Sequence, residues 1–262
     1  MATPTELKHR YWWLALVSFV ISAIALTPAA MLEFVAGQTP NANLRFIADG
    51  GTIWAGRGHT VVTQNTMRFV IPLTWRFDPL ALFRLRLGFN VEANAAELSG
   101  TTNIGLGLRT IELRDTALSA DARLVSVAHG AIALVAPVGR VWLRQSNTER
   151  LTIRTGTSND GDRVDGVIGL EAEQLALGGI VNAPVGNHAI AIRGEGGTIK
   201  LSVLRSSGPL TLEGSGTVAL SPPRRFTFSG FATAAADAPA TFKQLGPIMP
   251  DGRQRIELNS TW

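Results

Sequence analysis

Cysteine is absent from the chain, which excludes a disulfide framework, thiolate metal sites and a cysteine nucleophile. Lysine is almost absent too: Lys8, Lys200 and Lys243 are the only three, so arginine carries nearly all the positive charge. Charged residues fill only 17% of the 262 positions, against about a quarter in an ordinary globular chain. The net charge is +4 and the isoelectric point 10.3, yet no run of five or six basic residues occurs. A nucleic-acid surface needs a dense basic face, so no nucleic-acid partner is read here.

Signatures of catalysis are missing as well. There is no Gly-x-Ser-x-Gly elbow and no phosphate-binding Gly-Lys-Ser/Thr. The histidines His9, His59, His129 and His188 lack the spacing of a metal site. Asn159, Asp160, Asp162 and Asp165 resemble the start of a calcium loop, but the required Gly and Glu are out of register; they read as a polar hairpin turn. The glycine-rich stretches at 194–197 and 214–216 precede no helix that would hold a phosphate. Glu92, Glu97, Glu112 and Glu171 carry no pairing signal of the kind a glycosidase needs. The chain is therefore read as no enzyme, with no catalytic residue, no bound metal and no cofactor.

What is present is hydrophobic: 45% of the residues, with mean hydropathy +0.17. Part of this lies in one segment. From Tyr11 to Leu32 no residue is charged, and about 20 apolar residues suffice for a membrane-spanning helix. Lys8 and Arg10 precede it, and Tyr11, Trp12 and Trp13 form an aromatic belt at its start. Basic flanks stay in the cytoplasm, which gives a cytoplasmic N-terminus over 1–10, a transmembrane anchor over 11–32 and a domain over 33–262 on the far side. A cleaved signal peptide is the rival reading, disfavoured because its apolar core runs to only about 7–15 residues.

The remainder alternates with a period of two, the mark of half-buried strands. Leu85, Leu87, Phe89 and Val91 share one face, with Arg84, Arg86, Asn90 and Glu92 on the other. Val141 and Leu143, then Leu151 and Ile153, alternate with polar or larger neighbours. The clearest strand runs from Leu210 to Leu220, where two same-face glycines, Gly214 and Gly216, point to a bend or a close neighbour. Pro222-Pro223 ends it, and the next strand begins at Phe226. Turns are expected at Asp49-Gly50, Asp160-Gly161, Gly196-Gly197, Ser207-Gly208 and Asp251-Gly252. Short helical pieces are expected after Asp78-Pro79, where Asp78 caps and Pro79 suits the first position, and over Thr241–Leu245. A last strand is expected over Arg253–Leu258, with Trp262 anchoring its end. The Ala-rich stretch 117–135 receives no assignment. The fold class is mainly β: an N-terminal transmembrane helix followed by a curled, twisted antiparallel sheet, with a closed barrel as the alternative.

Trp54, Trp75 and Trp142 lie in strand-like contexts. Core packing and an interaction surface both suit such residues, and they are the candidate interaction residues.

Several segments together resemble the type II secretion system protein N family, also called general secretion pathway protein N. Gly51-Thr52-Ile53-Trp54-Ala55-Gly56 is similar to its G-x-x-W-x-G element, and Leu73-Thr74-Trp75-Arg76-Phe77-Asp78-Pro79-Leu80 to its W-x-F-x-P-x-x-L segment. Gly208 to Gly216 resembles its glycine-spaced strand, and Pro250-Asp251-Gly252-Arg253 its closing turn. The resemblance implies an accessory inner-membrane component of the machine that exports folded proteins across the outer membrane. It implies a single-pass protein with most of the chain in the periplasm, and other secretion subunits as partners. A lipid- or glycolipid-binding module, with acyl chains cradled in a β-groove, is the alternative reading.

Overall fold

The apolar N-terminal segment does not stay helical to its end. The computed structural model describes residues 4–37, 44–64, 67–124, 137–146, 148–156, 161–177 and 183–261. Helix α1 covers Pro4–Ala25, and a short α2 covers Ala30–Gly37. The break falls at Thr27-Pro28. Proline lacks an N–H and disfavours helical geometry in the residue before it, and Thr27 Oγ1 turns back to donate to the Ala23 carbonyl at 3.0 Å. The helix expected to reach Leu32 therefore stops at Ala25. Among the described residues no helix is long and apolar enough to cross a membrane.

The strands are β1 (Leu44–Gly51), β2 (Ala55–Gln64), β3 (Met67–Asp78), β4 (Leu87–Asn94), β5 (Leu98–Leu106), β6 (Thr110–Asp121), β7 (Pro137–Arg144), β8 (Arg150–Arg154), β9 (Arg163–Leu177), β10 (Ala183–Gly196), β11 (Thr198–Ser207), β12 (Leu210–Ala219), β13 (Arg225–Ala234) and β14 (Gln254–Thr261). They form one antiparallel sheet in sequence order, with a single irregularity. β7 and β8 occupy one lane in succession: both pair with β6 on one side and β9 on the other. Between them Gln145 holds the lane together. Its N–H donates to the Thr116 carbonyl at 2.9 Å, and its side chain donates to the Val167 carbonyl at 3.3 Å. Among the described residues β1 pairs only with β2, and β14 only with β13. The sheet is open, so the barrel alternative is not realised.

Register turns the alternation into two chemically different faces. One row of directly paired residues crosses ten strands through Ala48, Gly58, Leu73, Ala93, Gly100, Leu118, Leu143, Leu170, Ile190 and Val203. Every member is apolar or glycine. A neighbouring row on the opposite face runs through Thr74, Glu92, Thr101, Ala117, Arg144, Gly169, Ala191, Ser202, Ser215, Ser229 and Glu257. Every member of that row is polar, charged or small. The core accordingly lies on one face, in three clusters. One gathers Val62, Phe69, Ile71 and Ala93; a second Ala122, Val141 and Ala172; a third Val185, Leu210, Ala232 and Phe242.

Local expectations compare closely. Asp78 Oδ1 accepts the Leu80 N–H at 3.0 Å and caps a 3-10 helix, Pro79–Arg84. Leu85 then turns left-handed at φ 55°, so the alternation read from residue 84 becomes strand only at Leu87. The second helical piece is a 3-10 turn, Ala240–Gln244. The close neighbour of Gly214 and Gly216 is the backbone of β13: a Cβ there would lie 2.5 Å from the Ser229 carbonyl oxygen and 2.6 Å from that of Thr227, with the Phe228 ring at 3.1 and 3.2 Å. Asp49-Gly50 is no turn; it lies within β1, where the register shifts between Ala48 and Gly50. His129, Asn159, Asp160 and Trp262, with most of the Ala-rich stretch, lie outside the described residues.

Candidate functional site

In the N-terminal half, the two tryptophan-bearing segments form one clamp. The Trp75 ring lies against Gly56, where a Cβ would stand 2.5 Å from the indole; only glycine admits that approach. The Trp75 indole N–H donates to the carbonyls of Thr52 and Ile53, both at 3.2 Å. This fixes the β1–β2 connection and aims Trp54 at α1. The Trp54 indole N–H donates to the Ile24 carbonyl at 2.8 Å, one of the last-turn carbonyls that a helix cannot satisfy internally. Around it the Ile53 N–H donates to the Thr27 carbonyl at 3.0 Å, and the Ala29 N–H to the Gly51 carbonyl at 3.1 Å. Edge-to-face contacts extend the clamp across the sheet: Trp54 with Phe77 at 5.0 Å, Phe77 with Phe89 at 5.7 Å, and Phe46 with Trp75 at 5.7 Å. The end of α1 is thus tied to β1–β4 by main-chain and indole hydrogen bonds.

The helix so held is apolar and uncovered. Trp12, Phe19 and Ile24 are 67%, 71% and 52% exposed. Helix α2 folds back onto the edge strand β1, where Glu33 Oε2 accepts the Ala48 N–H at 3.4 Å and its other oxygen lies 4.0 Å from Arg45. One end of the sheet is therefore guarded. At the other end Arg255 donates its N–H outward to the Pro247 carbonyl at 3.0 Å. The two-residue period then turns the N–H and C=O of Glu257, Asn259 and Thr261 outward as well, along a strand exposed from Glu257 to Thr261.

Two of the concavities along the sheet stand out by volume. A polar groove of about 570 Å³ beside the clamp is lined by Arg76, Asn90, Glu92, Asn103 and Asp115, among others, and Asn103 Nδ2 donates to Asn90 Oδ1 at 2.9 Å. Two of the other carboxylates noted in the sequence, Glu112 and Glu171, are held by arginines. Glu112, 1% exposed, meets Arg86, Arg114 at 2.5 Å and Arg150 at 3.8 Å. Glu171 lies between Arg144 at 3.3 Å and Arg205 at 3.4 Å. Among the described residues no group of three or more His, Asp or Glu is placed to hold a metal ion.

The second concavity is apolar. About 330 Å³ in volume, it lies on the apolar face between the second and third core clusters, walled by Val141, Leu170, Val185, Ile190, Val203 and Leu212. His188 is the one ionisable residue in its lining. It stands in a row with Ala120, Val141, Ala172 and Ser206 and is 5% exposed. Nδ1 is 2.8 Å from Ser206 Oγ, and that oxygen accepts the Leu212 N–H at 2.6 Å. Nε2 is buried and has no hydrogen-bond partner among the described residues. Burial pushes the imidazole pKa below its ordinary value, so the ring is neutral near pH 7. The cavity exists because the β11–β12 ladder stops at Ser202↔Ser215, short of the turn at 208–209, leaving Val203 and Leu212 to line an opening.

Of the three candidate tryptophans, the fold brings two together. Trp75 is buried and Trp54 half-buried, both in the clamp. Trp142 is apart from them, on the polar face, paired between Ser119 and Glu171. Sequence reasoning passed over His188. The available signal was its place in the alternation, in phase with Ile190 and Ile192 and so on the apolar side.

A family model described as type II secretion system (T2SS), protein N, matches residues 48–255, a span that holds both the clamp and the apolar groove. No curated protein and no solved structure gives a match.

Proposed function

Because the chain belongs to the type II secretion system protein N family, which gives it a role in type II secretion, we propose that it acts there as a non-enzymatic inner-membrane scaffold. In this reading the apolar part of α1, residues 11–25, anchors the chain in the membrane, with the sheet in the periplasm. Other secretion subunits dock on the sheet. The basic start at Lys8 and Arg10 and the exposed apolar surface of α1 support the anchor. Large uncovered apolar surface in water is unfavourable by about 25 cal/mol per Å², and a bilayer removes that cost.

The observation that carries the docking role is the asymmetry of the sheet edges. Glu33 covers β1, while β14 offers a row of outward N–H and C=O groups. An open edge is a template for an added strand, in which main-chain hydrogen bonds supply affinity. The test is site-specific photocrosslinking in cells from Asn259, with Trp142 and Leu44 as comparison positions. The expected result is adducts to secretion subunits from Asn259, with few or none from Leu44. Adducts from Trp142 alone would move the interface to the polar face and remove the edge assignment.

A further inference from the structure

We infer that the apolar groove around His188 is a binding site for one long-chain fatty acid, its alkyl chain along the walls and one carboxyl oxygen accepting a hydrogen bond from His188 Nε2. The inference is independent of the edge-docking role. The argument begins with the hydrogen bonds of Ser206. Its oxygen already accepts the Leu212 N–H. Its own proton has one partner within reach, His188 Nδ1 at 2.8 Å. The oxygen has two lone pairs and could accept both hydrogen bonds, but its proton would then have no acceptor among the described residues, so we assign that proton to Nδ1. The neutral ring then carries its proton on Nε2, and the groove contains a buried N–H donor without an acceptor among those residues.

Leaving such a donor unmet costs about 1–3 kcal/mol, and buried polar groups without partners are rare. Water is a poor remedy. A buried water needs about 2–4 polar partners, and the walls are Val, Leu and Ile. The occupant must therefore be apolar over most of its length and carry one acceptor oxygen. The volume, about 330 Å³, lies at the small end of ligand pockets, which run from about 300 to 1,000 Å³. That favours one chain over the paired chains of a phospholipid. The opening between the splayed ends of β11 and β12 gives the chain a way in.

The test uses the full chain, reconstituted in amphipol, and a saturated fatty acid bearing a diazirine in its chain. Photolabelled peptides are mapped by mass spectrometry. Unlabelled fatty acid and the alkane of equal length serve as competitors. Labelling is expected on peptides that carry Val203 and Leu212, with the acid competing about tenfold better than the alkane, the worth of one such hydrogen bond. In His188→Leu the two competitors should become equal. Val203→Trp, which fills the groove and leaves His188 in place, should abolish the label; circular dichroism establishes that each variant is folded. Equal competition by acid and alkane in the unaltered protein would overturn the role of His188. Label confined to α1, or taken up equally from a diacyl phospholipid probe, would overturn the site or its single-chain occupant.

Discussion

The two halves of the sheet share one apolar face but cover it differently. In the N-terminal half, β1 to β6, large side chains of the sheet itself do the work: the aromatic Trp75 and Phe69 are buried with the aliphatic Ile71, and Trp54 reaches out to hold the end of α1. In the C-terminal half, β9 to β14, a 3-10 turn supplies a plug. Phe242, 1% exposed, enters the third cluster, and Gln254 pins the turn from the last strand. Its amide donates to the Phe242 carbonyl at 2.8 Å and its oxygen accepts the Leu245 N–H at 2.8 Å. Between these two solutions lies the groove with His188, which no described residue covers. A sheet with one apolar face gains by covering it, and among the described residues this stretch is left open with a buried imidazole in it.

The comparison can be pressed by substitution. Phe242→Ala and Trp75→Ala each remove a large buried side chain and should cost about 3–5 kcal/mol. Hydrogen exchange followed strand by strand separates two outcomes. If the halves are one cooperative unit, both variants raise exchange throughout; if not, Phe242→Ala loosens β10–β14 and leaves β2–β4 protected. Gln254→Leu leaves the buried Phe242 carbonyl unsatisfied and releases the Leu245 N–H at a more exposed position, which should cost about 1–3 kcal/mol, read as a lower midpoint in urea. Trp54→Phe keeps the stacking on Phe77 but loses the bond to Ile24, about 1 kcal/mol. Limited proteolysis should then cut faster between residues 26 and 29, with the urea midpoint of the sheet little changed.

The smallest effect is on pH. The folded imidazole of His188 titrates below its ordinary value, so the unfolded chain takes up the proton first as pH falls. Stability is then complete above about pH 6.5, the unfolded value, and declines as pH falls from there towards the folded value. Glu171, Glu173 and Arg205 line a polar hollow that His188 also borders, and the Asp121 carboxyl, lowered chiefly by its hydrogen bond from Arg123, contributes only in more acid solution. His188→Gln should flatten the decline below pH 6.5 in thermal unfolding; an unchanged slope would place the titrating group elsewhere.

Much of this was legible in the residues, and the rest was hidden for identifiable reasons. The strand from Leu210, the stop at Pro222-Pro223, the Asp78 cap and the turn before Phe242 follow from local rules, and each is present. The end of α1 was misjudged because hydropathy does not register Pro28, whose effect is on backbone geometry. Asp49-Gly50 carried a turn signal, yet its residues are held in an edge strand as a bulge. Trp54 and Trp75 were singled out as separate positions; their union depends on β2–β3 register, which puts Gly56 opposite Trp75. A β-groove follows from a curled sheet with one apolar face, but its place between β9 and β12 does not, because it arises where a ladder fails to close and no residue type announces that.

The order of the strands also has a meaning in time. Each strand lies beside its sequence neighbour, and even the shared lane of β7 and β8 is bounded by β6 and β9. A chain delivered N-terminus first can therefore lay down each strand on an edge already built, without waiting for a distant partner. Contacts close in sequence form quickly, since little chain must be looped to make them. The exception comes last. Phe242 cannot be pinned until Gln254 arrives in β14, so the final strand completes the cover of strands laid down before it. Growth from one end, with a closing latch at the other, makes the last eight residues of the sheet the step that converts an assembling ribbon into a finished one.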